Sequence, residues 1–333
     1  MLEINEMKRF KNILCVVEPG DTCKPALERA VALAENNQAK LTVVDVIPHI
    51  TVSMRMAEGD TISSDLQAEM VNAHEKQLEQ FIEPYRSQLD VQTKVLTGVP
   101  FLEIIYEALR NKCDLVIKTP ETQDWLDRLF GSDDMHLLRK CPCPVWLIKS
   151  QAPKAYKHIL AAVDVDEAYP AAKAKSQSAL NRQIIKMASS LALAESADLH
   201  IVHVWDAIGE SSLRNSAFMR RPEQEVNDYV EQTRRQHTES LNVLLHDVAS
   251  EQGNEVLGYL KPQIHLVKGW PRQVIPVLAQ QIEADLVVMG TVARTGVPGF
   301  IMGNTAETIL NQIDCSVLAI KPPDFVTPVM LKV

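Results

Sequence analysis

No apolar run in this sequence approaches the roughly 20 residues that a membrane-spanning helix needs, so a transmembrane protein is not expected. A disulfide or zinc framework is also lacking. The six cysteines include no C-x-x-C pair, and the closest two, Cys141 and Cys143, form C-P-C instead. A reducing, cytoplasmic setting is the expectation that follows. The opening stretch, Met1–Phe10, is acidic and has no long apolar core, so it does not read as a secretory signal. Positive charge is in deficit: Lys and Arg number 34 against 43 Asp and Glu, a net charge of -9. That balance argues against non-specific binding to nucleic acid or to an anionic membrane. Glycine is scarce as well, with 12 in 333 residues, yet four of them lie between Gly290 and Gly303.

That stretch, Gly290–Glu307, reads GTVARTGVPGFIMGNTAE. The apolar run Asp285–Met289 leads into it and a helical pattern, Ala306–Leu310, leads out. A glycine-rich turn between a strand and a helix presents bare N–H groups and a helix N-terminus to an anion. It therefore reads as a phosphate loop, although packing alone also explains such a turn. Gly303 would allow close approach to a ligand, and Asn304 with Glu307 reads as a capping box with Asn304 as N-cap. The loop holds no lysine and does not match G-x-x-x-x-G-K-[ST], so catalytic phosphoryl transfer is not expected from it.

The chain uses one pattern twice. Strands are expected at Ile13–Val17, Leu41–Ile47, Val91–Leu96, Asp114–Lys118 and Val145–Lys149, with helical periodicity between them. Ile159–Val163, Ala197–Val204, Asp285–Val288 and Cys315–Lys321 repeat strand landmarks in the same order, and Lys268–Pro271 repeats Thr97–Pro100, where Gly98-Val-Pro100 turns the chain into a helix. The largest insertion, Asp166–Ser178, follows the first strand of the second copy. Residues 1–150 and 155–323 are thus two α/β units, joined through the short linker Ser150–Lys154 and followed by a tail, 324–333. Alternating strands and helices imply a parallel sheet covered on both faces, with ligands beyond the strand carboxyl ends where the order reverses.

These residues resemble the tandem, E-type universal stress proteins over nearly the whole chain, from about Phe10 to Lys321. ATP-binding members of that family carry G, two residues, G, nine residues, then G followed by Ser or Thr. Gly290, Ala293, Gly303 and Asn304 stand in that frame, with Ala293 and Asn304 departing from it. Asp164 stands where members carry an aspartate after the first strand. The resemblance implies two Rossmann-like units of the adenine-nucleotide alpha-hydrolase type, each a five-stranded parallel sheet in the order 3-2-1-4-5. It implies that they pair inside the chain through their last strands as a pseudo-dimer, with a further homodimer as an option. It also implies a stress-resistance protein that binds ATP or AMP, or neither, with little or no catalysis. The ligand residues carried over are Asp164, Val204, Gly290, Ala293, Arg294, Gly303, Asn304 and Thr305. No resident metal is expected, and Mg2+ would enter only with a nucleotide.

Charge separates the two copies. The second loop carries Arg294 alone, whereas the first, Thr119–Asp134, sets Glu121, Asp124, Asp127, Asp133 and Asp134 against Arg128. Asp133 and Asp134 at a helix start satisfy its dipole themselves and repel phosphate. The first unit is therefore expected to be structural. His200 and His203 lie three apart on a strand, point to opposite faces and cannot chelate together. His203 is expected as a hydrogen-bonded core residue, and His237 and His246 as no ligand pair. Cys143 and Cys315 precede equivalent strands, and Lys149 and Lys321 end them, which favours packing over reactivity. Met54, Met56, Met70, Phe218, Met219 and Phe300–Met302 read either as ordinary packing or as an apolar wall for a larger, nucleotide-linked or lipid-like ligand. A ligand-free interaction scaffold is the third reading.

Overall fold

Near-continuous apolar strands can be buried on both faces only if helices cover the sheet twice. The computed structural model, which describes residues 10–50, 61–120, 132–166, 171–252, 255–291 and 303–331, has that arrangement. The first unit runs β1 (Asn12–Val16), α1 (Lys24–Asn37), β2 (Lys40–Ile47), α2 (Thr61–Ile82), β3 (Val91–Thr97), α3 (Pro100–Arg110), β4 (Leu115–Lys118), α4 (Ser132–Lys140) and β5 (Val145–Leu147). The second runs β6 (His158–Val163), α5 (Ala171–Glu195), β7 (Asp198–Trp205), α6 (Glu210–Asn215), α7 (Glu223–Gln252), α8 (Glu255–Leu260), β8 (Gln263–Lys268), α9 (Pro271–Gln281), β9 (Leu286–Gly290), α10 (Asn304–Leu310) and β10 (Ser316–Ile320). The insertion after β6 is absorbed mainly by α5, which is 25 residues long.

All ten strands form one sheet in the order β3-β2-β1-β4-β5-β10-β9-β6-β7-β8. Each half has the expected 3-2-1-4-5 order and is parallel throughout. The halves join where β5 meets β10 antiparallel, with Val145 opposite Ala319, Trp146 opposite Leu318 and Leu147 opposite Val317. Strand alternation then extends each core layer across both halves. Ile117, Trp146, Leu318 and Val288 face α1 and α5 (Ala30, Ile185), while Val116, Leu147, Val317 and Val287 face α3, α4, α9 and α10 (Ile105, Leu138, Leu278, Ile309).

Local devices repeat with the fold. Gly98 and Gly269 take φ of 149° and 147° at the ends of β3 and β8, a region open only to glycine. Pro100 and Pro271 then start α3 and α9 at the one place in a helix where a missing N–H costs nothing. At other helix ends the left-handed residues are Gln38, Lys112, Ser196, Lys261 and Glu283, with φ between 45° and 54°. With no glycine there to mark them, those ends carry no composition signal.

Candidate functional site

The strand order reverses between β6 and β9, which pair through Ala162 and Met289. Beyond that pair lie Asp164 on one side and Gly290 and Thr291 on the other. Asn181 of α5, itself buried, fixes the Asp164 peptide by donating to its carbonyl at 2.7 Å and accepting its N–H at 3.1 Å. The Asp164 carboxylate accepts the Asp166 N–H at 3.3 Å, so one of its roles is to shape the turn after β6. A Cβ at Gly290 would meet Leu180 Cδ2 of α5 at 2.8 Å, so packing accounts for glycine there.

The glycine-rich loop is closed at its base, where Gly303 N donates to Thr291 O at 3.2 Å. Ala293, Arg294 and Phe300–Met302 lie outside the described residues. Gly303, in extended geometry at φ -64°, is the N-cap of α10, with no side-chain cap. This corrects the capping-box expectation by one position: Asn304 is already helical, and Glu307 turns away to pair with Arg139 of α4 at 2.7 Å. Asn304 and Thr305 are exposed on the first turn.

A cavity of about 370 Å³ opens at the carboxyl ends of β7 and β8. Val204 and Asp166 line it, with Trp205, Tyr229, His237 and Trp270 as its aromatic walls. Of the residues singled out from sequence for ligand binding, only Val204 lies in its lining. Its formal charges are Asp166 and Asp206, and no lysine or arginine lines it among the described residues. The expectation for His203 holds, since it is 1% exposed and hydrogen-bonded. Its Nδ1 lies 3.3 Å from Val163 O and 3.5 Å from the Val165 N–H, and its Nε2 lies 2.9 Å from His237 Nδ1. His237 thus belongs to a pair with His203, which spacing along α7 could not reveal.

A profile of the universal stress protein family matches residues 9–149 and again 155–321. The chain belongs to the universal stress protein family. It is 30% identical over 331 residues to universal stress protein E of Escherichia coli K12 and of Salmonella typhi, covering 98% of each chain. The Haemophilus influenzae homolog is 29% identical over 323 residues, covering 94% of this chain. Among solved structures, a universal stress protein of Pseudomonas aeruginosa UCBPP-PA14 superposes with a TM-score of 0.67 at 28% identity, covering 96% of both chains. An Archaeoglobus fulgidus universal stress protein shares the fold with a TM-score of 0.60.

Within this universal stress protein the two units fill equivalent places differently. The His203–His237 pair is matched in the first unit by Asp45 of β2 and His74 of α2, 2.6 Å apart. Where the second unit has Met289 at the end of β9, the first has Lys118. Its ammonium lies 2.8 Å from the fully buried Asp134 of α4 and also donates to Thr119 O at 3.2 Å. The first unit therefore carries its own buried carboxylate on the first turn of the helix that follows its loop. Between the units, Lys321 is buried and donates to Leu138 O and, at 3.0 Å, to Thr291 Oγ1, whereas its sequence equivalent Lys149 pairs with Asp314 at 2.8 Å. Phe218 and Met219 are exposed rather than packed. Met54 and Met56 lie outside the described residues.

Asn181, His237, Trp205, Tyr229 and Trp270 were not legible as site residues. The one usable signal was Gly269-Trp270-Pro271, a turn at a strand carboxyl end. Among the described residues no group of three or more His, Cys, Asp and Glu is placed to hold a metal ion, and no helix is long and apolar enough to cross a membrane.

The histidines make stability pH-dependent. Burial holds His203 below the usual imidazole value of 6.5, with Asp164 opposing and His237 assisting. Burial likewise lowers His200, beside His265 at 3.0 Å, and His265 itself. The unfolded chain then takes up protons first as pH falls below 6.5. Stability is accordingly full above that value and declines toward the lower folded-state values. The thermal midpoint, followed between about pH 8 and about pH 5, is expected to fall on the acid side. A midpoint that rises there would contradict these assignments.

Proposed function

We propose that the second unit binds an adenine nucleotide, ATP or AMP, at the β6–β9 reversal, and that it does so in stress resistance with little or no turnover. The observation that carries this reading is the cavity at the carboxyl ends of β7 and β8, with Val204 and Asp166 in its wall. Aromatic walls and two carboxylates suit the base and sugar and disfavour phosphate. The phosphates would then lie toward Gly290, Gly303, Asn304 and Thr305, with Ala293 and Arg294 completing the loop. Asp164, held by Asn181, positions the turn between the two. Mg2+ would come only with the nucleotide, and nothing in the described site supplies the cation clamp that phosphoryl transfer requires.

Gly303→Asp tests this with little risk to the fold, because aspartate is a favoured N-cap. It adds a carboxylate where the phosphates would sit. Calorimetry is expected to show at least about tenfold weaker ATP binding, or roughly 1.4 kcal/mol. Unchanged affinity would sink the phosphate-loop assignment. A second reading draws on the cavity rim, where Ile208 and Trp270 are 75% and 52% exposed. These side chains suit a nucleotide-linked ligand with an apolar part. Native mass spectrometry of gently purified protein separates the cases: an adenine nucleotide supports the first, an acylated molecule the second, and no ligand an interaction scaffold.

A further inference from the structure

The C-P-C segment has a geometry that packing alone does not require. Cys141 follows α4, its N–H closing the last turn onto Leu137 O at 2.9 Å. Pro142 restricts the backbone immediately after it. The two sulfurs face each other at 3.7 Å, with Cys141 at 0% and Cys143 at 6% exposure. The buried ammonium of Lys321 lies beside them, anchored to Leu138 O in the same turn of α4.

We propose that Cys141 and Cys143 are a redox-active dithiol that a small hydroperoxide converts to an intrachain Cys141–Cys143 disulfide. A disulfide bond is about 2.05 Å long, so the sulfurs need only close on each other within one turn. Cys141 Sγ attacks the peroxide, forming an S–O bond as the O–O bond breaks. The leaving oxygen departs as water or alcohol with the proton that Cys141 gave up. Cys143 Sγ then attacks the sulfenic sulfur, the S–S bond forms, the S–O bond breaks, and water leaves with the Cys143 proton. Two thiols are oxidised and one peroxide is reduced.

The electrostatics fit these separate roles. Burial raises Cys141, but the Cys143 S–H and the Lys321 charge outweigh it and bring Cys141 below the ordinary thiol value. Cys143, as the donor to Cys141 and buried itself, is raised and keeps its proton. Burial pushes Cys113 and Cys315 up to about 12, which leaves them inert by comparison. Burial of the pair slows entry of the oxidant without changing which thiol reacts. This assignment is independent of nucleotide binding.

The test uses the reduced full chain, treated with equimolar hydrogen peroxide, quenched by alkylation in denaturant at timed intervals, digested and weighed. The peptide holding both cysteines is expected to lose two hydrogen masses and resist alkylation, at least about tenfold faster than Cys113 or Cys315 is oxidised. Cys141→Ser and Cys143→Ser should each abolish that species, and Cys143→Ser should leave Cys141 as a trappable sulfenic acid. A disulfide involving Cys113, uniform oxidation of all the cysteines, or a pair that stays fully alkylatable in the folded protein would overturn the proposal.

Discussion

Replacing Arg29 by alanine is expected to destabilise the chain by about 3–5 kcal/mol, the cost of breaking a buried ion pair on one side. Arg29 stands on α1, and its guanidinium reaches Glu195 at the end of α5, with side-chain exposures of 11% and 13%. It also donates to Pro153 O at 3.2 Å and Lys154 O at 3.1 Å, which fastens the linker between the units. The same group lies 3.8 Å from the ring centre of Tyr156 and 5.4 Å from that of Trp146, both buried in the core layer that α1 and α5 cover. Removing it leaves Glu195 with the Tyr156 N–H as its remaining described hydrogen-bond partner. Arg29→Lys keeps the charge but loses the planar fork, so it should recover only part of the loss. Urea unfolding measures both, and a cost below about 1 kcal/mol for Arg29→Ala would reduce the clasp to an ordinary surface pair.

Asp134→Ala should cost about as much, again about 3–5 kcal/mol, because it takes the buried carboxylate away from the Lys118 ammonium. Asp134 is 0% exposed and Lys118 9%, so water does not replace the lost carboxylate. The double substitution Lys118→Met with Asp134→Leu removes both charges. It should recover most of the stability, since an apolar pair of similar size avoids the desolvation cost. If the double variant is as unstable as Asp134→Ala, shape rather than charge holds α4 against β4. Neither change touches the second unit's crevice, so the nucleotide binding proposed for that unit should be unaffected in both.

Much of the fold was legible because its determinants are local. Residues 13–17 and 159–163 read as strands from their apolar runs, and the two Gly-x-Pro turns read as helix starts. The duplication turned every landmark into a pair. The site was less legible. Asn304 as N-cap was off by one, because cap geometry depends on where the Gly303 N–H finds its acceptor, and that acceptor is Thr291 O across the loop. His237 looked isolated because its partner His203 lies on a different element. Gly290 looked like a ligand-loop glycine, whereas Leu180 gives it a packing reason.

The sequence alone determined the α/β class, the tandem repeat, the family and the difference in charge between the two loops. These follow from periodicity, spacing and composition, which are properties of the chain read in order. Tertiary structure decided which residues share a wall or a bond: the cavity from Asp166 to Trp270, the clasp of Arg29 on Glu195, the Lys118–Asp134 pair and the facing sulfurs of Cys141 and Cys143. The clasp and the cavity join residues tens of positions apart or more. Even for the sulfurs, two residues apart, side-chain direction is set by packing. Of these contacts, the Arg29–Glu195 clasp alone crosses between the halves that β5 and β10 join into one sheet.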